Sequence, residues 1–345
     1  MPLVARLRAT RYGIAFSSAR LKGLFLEFLW DCRRVVDFSR KKLNSSLSHE
    51  QRQGICDELA CPTIDSSSIH LTFTVASRRF GNRDSNMRRL LDSLLNTAKN
   101  PRLLEVLAKV DEDDDLLHFL AIKRQFSKKI RLRIFVTPRL RGYADAHIFA
   151  EDLIQEAAPS AKVWMVLTDD GVFVRNHWDE ILNSAIDSFG GDYYVGGELP
   201  FERITAIDGP NPKEPVPIYW YGSNPYHFAS MKLLNLLEEI TRQFPGWTRY
   251  GSGFCFDTYF SAIAATVWEE YGVQIYVQAD RLVNRTGVFS FTFSEHRNRV
   301  RSEALIDLMS PEHRDKRVII ARAIVDAAKL TFVKRIGEAV RPPIS

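Results

Sequence analysis

From residue 69 onward two hydrophobic patterns alternate along the chain. Apolar runs of strand length stand at Ile69–Ala76, Leu103–Val110 and Ile130–Val136, and a fourth begins at Val163. Between them lie stretches whose apolar residues recur at helical spacing. The first carries Met87, Leu90, Leu91, Leu94 and Leu95 on one face, with Asp84 or Ser85 placed to cap its start. The second covers 116–128, and the third runs from about 145 to 157, closed by Pro159. The order strand, helix, strand, helix, strand, helix, strand predicts an α/β protein with a doubly wound, mostly parallel sheet, whose polar strand-end loops gather on one edge.

The fourth run, Val163–Val174, is the one around which the rest is arranged. It is apolar on both faces, ends in Asp169 and Asp170, turns on Gly171 and resumes as Val172, Phe173 and Val174. Such a run suits a central strand covered on both sides. Its carboxylates then sit where open α/β sheets place ligands. Two acids can grip a hard divalent cation, and Asp-Asp-Gly is equally ordinary turn chemistry. Both readings stand at this point.

Beyond it, Trp178–Phe189 reads as a helix stopped by Gly190-Gly191. Residues 192–230 are rich in proline and aromatics, and Tyr219–Phe228 reads either as a platform for ring substrates or as core. A helix follows over 231–243, then a Gly-rich loop from Gly246 that feeds a helix carrying Asp257. Residues 273–293 are strand-like, and 311–340 form a helical tail. At the other end, Leu21, Leu24, Phe25, Phe28, Leu29, Cys32, Val35 and Val36 make a helical stripe. The Ser-rich stretch 44–68 reads as a connector.

Charge changes this picture at the N-terminus only. Residues 1–42 hold ten Lys/Arg against three acids, a net +7, which leaves −2 for the remainder of a chain whose total is +5. A basic charge confined to an extension argues against nucleic-acid binding by the main fold. The basic amphipathic segment 21–38 can pack on the protein, pair with a second copy, or lie on an anionic membrane surface. No run reaches the ~18 apolar residues of a membrane span, and the N-terminus lacks signal-peptide features. The four cysteines form no CxxC pair, so reduced thiols in a cytoplasmic protein, at most peripheral to the inner face of a membrane, are expected.

The strand-end loops hold the candidate chemistry. Ser77 and Arg78 follow the first strand, the acidic run Asp111–Asp115 the second, Arg139 and Arg141 the third, and Asp169 and Asp170 the fourth. The acidic run reads as a mostly solvated turn. Acids and arginines together, with no Ser/His or Cys/His pairing, suit an anionic phosphorylated ligand. Neither the Gly-rich dinucleotide fingerprint nor the P-loop pattern is present.

The segments TVASRRFGNRDSNMRRLLDSLLNTAKNP, LEVLAKVDEDDD, VTPRLRGYADAHIFAEDLIQEA and VWMVLTDDGVFVRNHWDEIL together resemble the nucleotide-binding half of GT-A fold glycosyltransferases of the family-2-like group. The resemblance covers roughly residues 69–190 and weakens to about 300. It implies a GT-A type, Rossmann-like sheet flanked by helices, with an added N-terminal amphipathic helix. The division would be a basic helical extension and linker over 1–65, a nucleotide-sugar half over 66–190, an acceptor half over 191–300 and a helical tail over 301–345. It also implies a sugar transfer from a nucleotide-diphosphate sugar, UDP-type first, to a hydroxyl of a glycan, lipid or small molecule. Ser77 and Arg78 would lie beside the nucleoside, Asp111 or Asp113 would contact the base, and Arg139 and Arg141 would lie near the diphosphate. Asp169 and Asp170 would replace the metal-binding Asp-x-Asp and hold Mg²⁺ or Mn²⁺, with His296 completing the site. Asp257 would act as acceptor base, a role compatible with capping its helix. Thr-Asp-Asp-Gly departs from a clean Asp-x-Asp. Two other readings share these residues: a catalytically silent GT-A-like domain that binds a glycan or a partner, and a nucleotidyltransferase that releases pyrophosphate.

Overall fold

The computed structural model describes residues 47–65, 67–77, 86–138, 153–198, 201–204, 218–221, 226–245, 247, 256–285, 308 and 310–329, with the backbone alone for 198, 201–204, 218–221, 256–258 and 285. Its helices are α1 (His49–Ala60), α2 (Asn86–Thr97), α3 (Leu116–Phe126), α4 (Trp178–Phe189), α5 (Met231–Thr241), α6 (Phe256–Tyr271) and α7 (Pro311–Ala327). Its strands are β1 (Leu71–Ala76), β2 (Leu104–Asp111), β3 (Arg131–Thr137), β4 (Val163–Thr168), β5 (Gly171–Phe173), β6 (Val195–Glu198), β7 (Phe201–Ile204), β8 (Ile218–Tyr221), β9 (Tyr226–Ser230), β10 (Tyr276–Ala279) and β11 (Val283–Arg285). Seven strands form one sheet in the order β3-β2-β1-β4-β9-β6-β10, and β5/β11 and β7/β8 form two-stranded ribbons. Strands β1 to β4 are mutually parallel, β9 runs antiparallel between β4 and β6, and β10 is parallel to β6. The chain steps outward from β1 through β2 to β3, then returns to lay β4 on the other side of β1. The direction of winding therefore reverses between β1 and β4.

Alternation along the strands sends side chains to two cores. On one face Phe73, Val106, Leu132 and Met165 pack under α2, α3 and α4. The five apolar residues expected on α2 are all buried there. Phe173 stacks at 4.4 Å on Trp178 and meets Phe73 edge-on at 6.0 Å, which ties the β5 turn to α4. On the other face Trp164, Val166, Val195 and Ala229 pack under α5, α6 and α7. The Trp164 indole donates to Thr74 Oγ1 at 2.9 Å.

The expected strands and helices of the first half appear within one or two residues of their sequence positions, and α4 ends on Gly190 at φ +70°, a left-handed cap that favours glycine. Three findings differ. The Ser-rich connector contains α1, started by a reciprocal capping box in which Ser48 accepts from Gln51 N and Gln51 accepts from Ser48 N. Of the third expected helix, residues 145–152 lie outside the described residues and Leu153–Glu156 is a single 3₁₀ turn. The aromatic segment before α5 ends in β9, whose five residues are all buried in the centre of the sheet, so Tyr226 and Phe228 are core. The segment 21–38 lies outside the described residues. Among the described residues no helix is long and apolar enough to cross a membrane.

Candidate active site at the carboxyl ends of β1 and β4

Adjacent parallel strands whose connections leave in opposite directions open a crevice beyond their carboxyl ends. β1 ends there in Ser77 and β4 in Asp169. Ser77 N donates to Lys109 O at 2.9 Å, which ties the residue to β2. Its hydroxyl donates to Asp169 Oδ2 at 3.0 Å. A residue of each strand thus meets across the reversal point, with Ser77 buried and Asp169 half-buried. Asp170 is 4 % exposed and both its carboxylate oxygens are shut from solvent. The chain leaves at once into β5, which pairs antiparallel with β11. Gly171 suits that departure, since a Cβ there would press tightly, at 3.1 Å, on both Thr168 O and Val283 Cγ1. The Asp-Asp-Gly sequence is therefore a tight turn that leaves one half-buried carboxylate at the strand end.

The acidic run is not the solvated turn expected of it. Asp111 closes β2, pairs in register with Thr137 and is buried, its Oδ1 meeting the Lys109 ammonium. Asp114 is buried and accepts from Asp115 N at 2.9 Å. Asp115 caps α3 by accepting from His118 N at 3.1 Å. Glu112 is exposed, with its carbonyl held by Arg52 at 2.7 Å, and Asp113 is half-buried in the turn. Burial costs free energy unless each charge finds a partner, and the turn supplies those partners locally.

Of the residues singled out in the sequence, Ser77, Asp169, Asp170, Asp111 and Asp113 stand at the ends of neighbouring strands β1, β4 and β2 on one edge. Asp257 lies one residue inside α6, in its first turn rather than at the residue preceding the helix. Arg78, Arg139, Arg141 and His296 lie outside the described residues. No group of three or more His, Cys, Asp or Glu among the described residues gathers closely enough to hold a metal ion unaided. Magnesium-type sites are commonly built from one or two carboxylates completed by substrate phosphates and water, and Asp169 at the crevice fits that mode. Two further residues at this edge carry no motif in the sequence. Lys109 is buried beside Asp111, and Thr168 carries a hydroxyl oxygen that is buried without a partner among the described residues.

No protein-family model matches the chain, and no curated protein is significantly similar to it. Solved structures similar to it include TarS 1-349 of S. aureus in complex with UDP, at 15% identity and TM-score 0.41 over 72% of this chain and 70% of that one. They also include a mannosyltransferase from Pyrobaculum calidifontis in complex with GDP-Man and Mn2+, at 12% identity and TM-score 0.39 over 89% and 88%. A nucleoside-diphosphate-sugar pyrophosphorylase from Vibrio cholerae RC9 is similar at 13% identity and TM-score 0.36 over 66% of this chain and 99% of that one.

Proposed function

We propose that this chain transfers a sugar from a nucleotide-diphosphate sugar to an acceptor hydroxyl. The observation that supports the reading is the Ser77–Asp169 hydrogen bond, which holds a half-buried carboxylate where β1 and β4 end side by side. A carboxylate in that crevice suits a phosphorylated ligand when a divalent cation bridges the two. In this reading Asp169, backed by Asp170, holds Mg²⁺ or Mn²⁺ against the diphosphate, and His296 is the candidate to complete the shell. The cation, when bound, offsets the charge that grows on the departing nucleoside diphosphate. Ser77 keeps Asp169 oriented and Arg78 lies beside the nucleoside. Asp111 or Asp113 accepts from the base, which favours a UDP-type donor. Arg139 and Arg141 match the diphosphate charge through planar, bidentate hydrogen bonds. Asp257 takes the proton of the acceptor hydroxyl.

The test is product analysis. With a panel of nucleotide sugars and Mn²⁺, release of the nucleoside diphosphate is expected. Pyrophosphate formation from a nucleoside triphosphate and a sugar phosphate would make the protein a nucleotidyltransferase instead. Nucleotide binding with no turnover of any donor would leave a silent binding domain.

A further inference from the structure

Helix α1 lies outside residues 69–190, the stretch that carries the glycosyltransferase resemblance, and its two halves meet different surroundings. The C-terminal turn is fixed at several points. The buried Lys123 ammonium donates to the carbonyls of Glu58, Leu59 and Cys61. Arg133 Nε donates to Ala60 O at 3.1 Å, and Arg124 forks onto Glu58 at 2.7 and 2.8 Å. Just beyond, Thr63 bonds to the edge strand β3, accepting from Leu132 N and donating to Ile130 O. Shielding that edge accounts for this half of the helix. It does not account for the first two turns. There His49, Arg52 and Cys56 stand on one stripe at helical spacing, and that stripe is polar. With Glu112, Val136 and Pro138 at the carboxyl ends of β2 and β3 it lines a cavity of about 260 Å³.

The lining has a definite chemistry. Arg52 is half-buried, and its Nη2 donates to Glu112 O at 2.7 Å, which fixes the plane of the guanidinium. Its other N–H groups have no partner among the described residues. His49 adds a ring N–H. Burial pushes the Cys56 thiol up against the pull of Arg52, so the sulfur stays a thiol and leaves the guanidinium charge unmatched by it. A guanidinium held in one plane with donors to spare suits a carboxylate or a phosphate. The Glu112 carboxylate repels a second anionic group and accepts from hydroxyls, while Val136 and Pro138 suit a carbon skeleton. The volume is close to the lower end of small-molecule sites, ~300 Å³, and is more than an inorganic phosphate needs. The clamp on the C-terminal turn holds the cationic wall in place beforehand, which lowers the cost of binding.

We propose that this cavity is a second ligand site, built for a small hydroxylated anion with the chemistry of a phosphorylated or oxidised sugar, whose acidic group Arg52 holds. The proposal does not rest on the transferase reading. The cavity stands at the ends of β2 and β3, whereas the crevice of that reading stands at β1 and β4, and its cationic wall comes from α1.

The experiment is calorimetric binding of glucose 6-phosphate, gluconate, inorganic phosphate and glucose to the wild type, Arg52→Gln and Asp169→Asn, with and without saturating UDP and Mn²⁺. One of the two sugar anions is expected to bind more tightly than inorganic phosphate, and which one does so separates the phosphorylated from the oxidised class. Glucose, which lacks the charge, should bind at least about tenfold more weakly. Arg52→Gln should weaken the preferred anion about 10–100-fold, the size of a charged hydrogen bond. Asp169→Asn, and UDP with Mn²⁺, should leave its affinity within about twofold, as separate sites do. No binding of either sugar anion to the wild type at millimolar concentration overturns the proposal. So does wild-type affinity in a folded Arg52→Gln. Displacement by UDP with Mn²⁺, or loss in Asp169→Asn, also overturns it, since the anion would then belong to the β1–β4 crevice. If Arg52→Gln does not fold, alkylation of Cys56 in the wild type, followed by mass spectrometry, decides: protection by the anion supports the proposal, and an unchanged rate overturns it. Failure of UDP to bind would count against the transferase reading alone and leave these outcomes standing.

Discussion

The two ends of the same strands carry buried charges in different ways. At the amino end, Glu105 is fully buried and saturated: Arg131 Nε donates at 2.6 Å, Thr72 Oγ1 at 3.0 Å and Ala158 N at 2.8 Å, and Arg131 reaches on to Ile64 O. Nearby, the buried Lys123 ammonium donates to the carbonyls of Glu58, Leu59 and Cys61, closing the C-terminus of α1. At the carboxyl end the contacts include Lys109 with Asp111 on one strand, and Ser77 with Asp169 between β1 and β4. At the amino end several donors converge on one fully buried charge, and that is how a network stabilises. The carboxyl end leaves Asp169 half-buried where β1 and β4 end side by side, the arrangement the proposed nucleotide site requires. The contrast implies that substitutions at the amino end change stability and those at the carboxyl end change binding.

The largest stability loss should follow Glu105→Gln, which leaves Arg131 buried without its charge partner. About 3–5 kcal/mol is expected, read from urea denaturation. A loss below ~1 kcal/mol would erase the contrast. Next is Lys123→Met, which strips the donors from the last carbonyls of α1. It should cost about 1–3 kcal/mol, with hydrogen exchange rising first in α1.

The smallest effect is pH-dependent. His70, just before β1, is half-buried, and burial first, then the Lys162 charge, push its pKa below the ordinary 6.5, with Asn183 and Asp187 pulling the other way. The unfolded chain therefore takes up the proton before the folded one. Stability is complete above the unfolded value and falls as pH drops below about 6.5 toward the folded value. Urea midpoints measured from about pH 8 to 5 should decline on the acid side, and His70→Gln should flatten that decline. An identical slope in both proteins would remove His70 from the account.

How much of this was legible in the sequence follows from how local each signal is. Strands β1 to β4 are continuous apolar runs broken by amphipathic helices, so their order, and the placing of Ser77, Asp111 and Asp169 on one edge, could be read directly. The antiparallel β9 could not. Its five residues, Tyr226–Ser230, look like part of an aromatic loop, and only pairing between β4 and β6 makes them central. The helix α1 has a visible cap in Ser48 and Gln51, but of its residues only Leu59 is fully buried, so no apolar stripe announces it. Lys109 was hidden by its surroundings, since a single lysine in Leu103–Val110 reads as tolerated. The available signal was Glu105, Lys109 and Asp111 at even spacing, which puts three charges on one face of a buried strand. That Asp169 stays half-buried while Asp170 is buried depends on the turn into β5, which pairs with residues more than a hundred positions later. No dipeptide carries that information.

The central claim is that Asp169, held by Ser77, is the carboxylate through which a metal-bridged nucleotide binds. Thermal unfolding of the wild type and Asp169→Asn, each with and without nucleoside diphosphate and Mn²⁺, tests it most directly. The asparagine keeps one oxygen able to accept from the Ser77 hydroxyl and removes the charge. A rise on the order of 5 °C with nucleotide and Mn²⁺ at ~100 times Kd, relative to each protein without ligand, is expected in the wild type alone. The same metal-dependent rise in Asp169→Asn would contradict it.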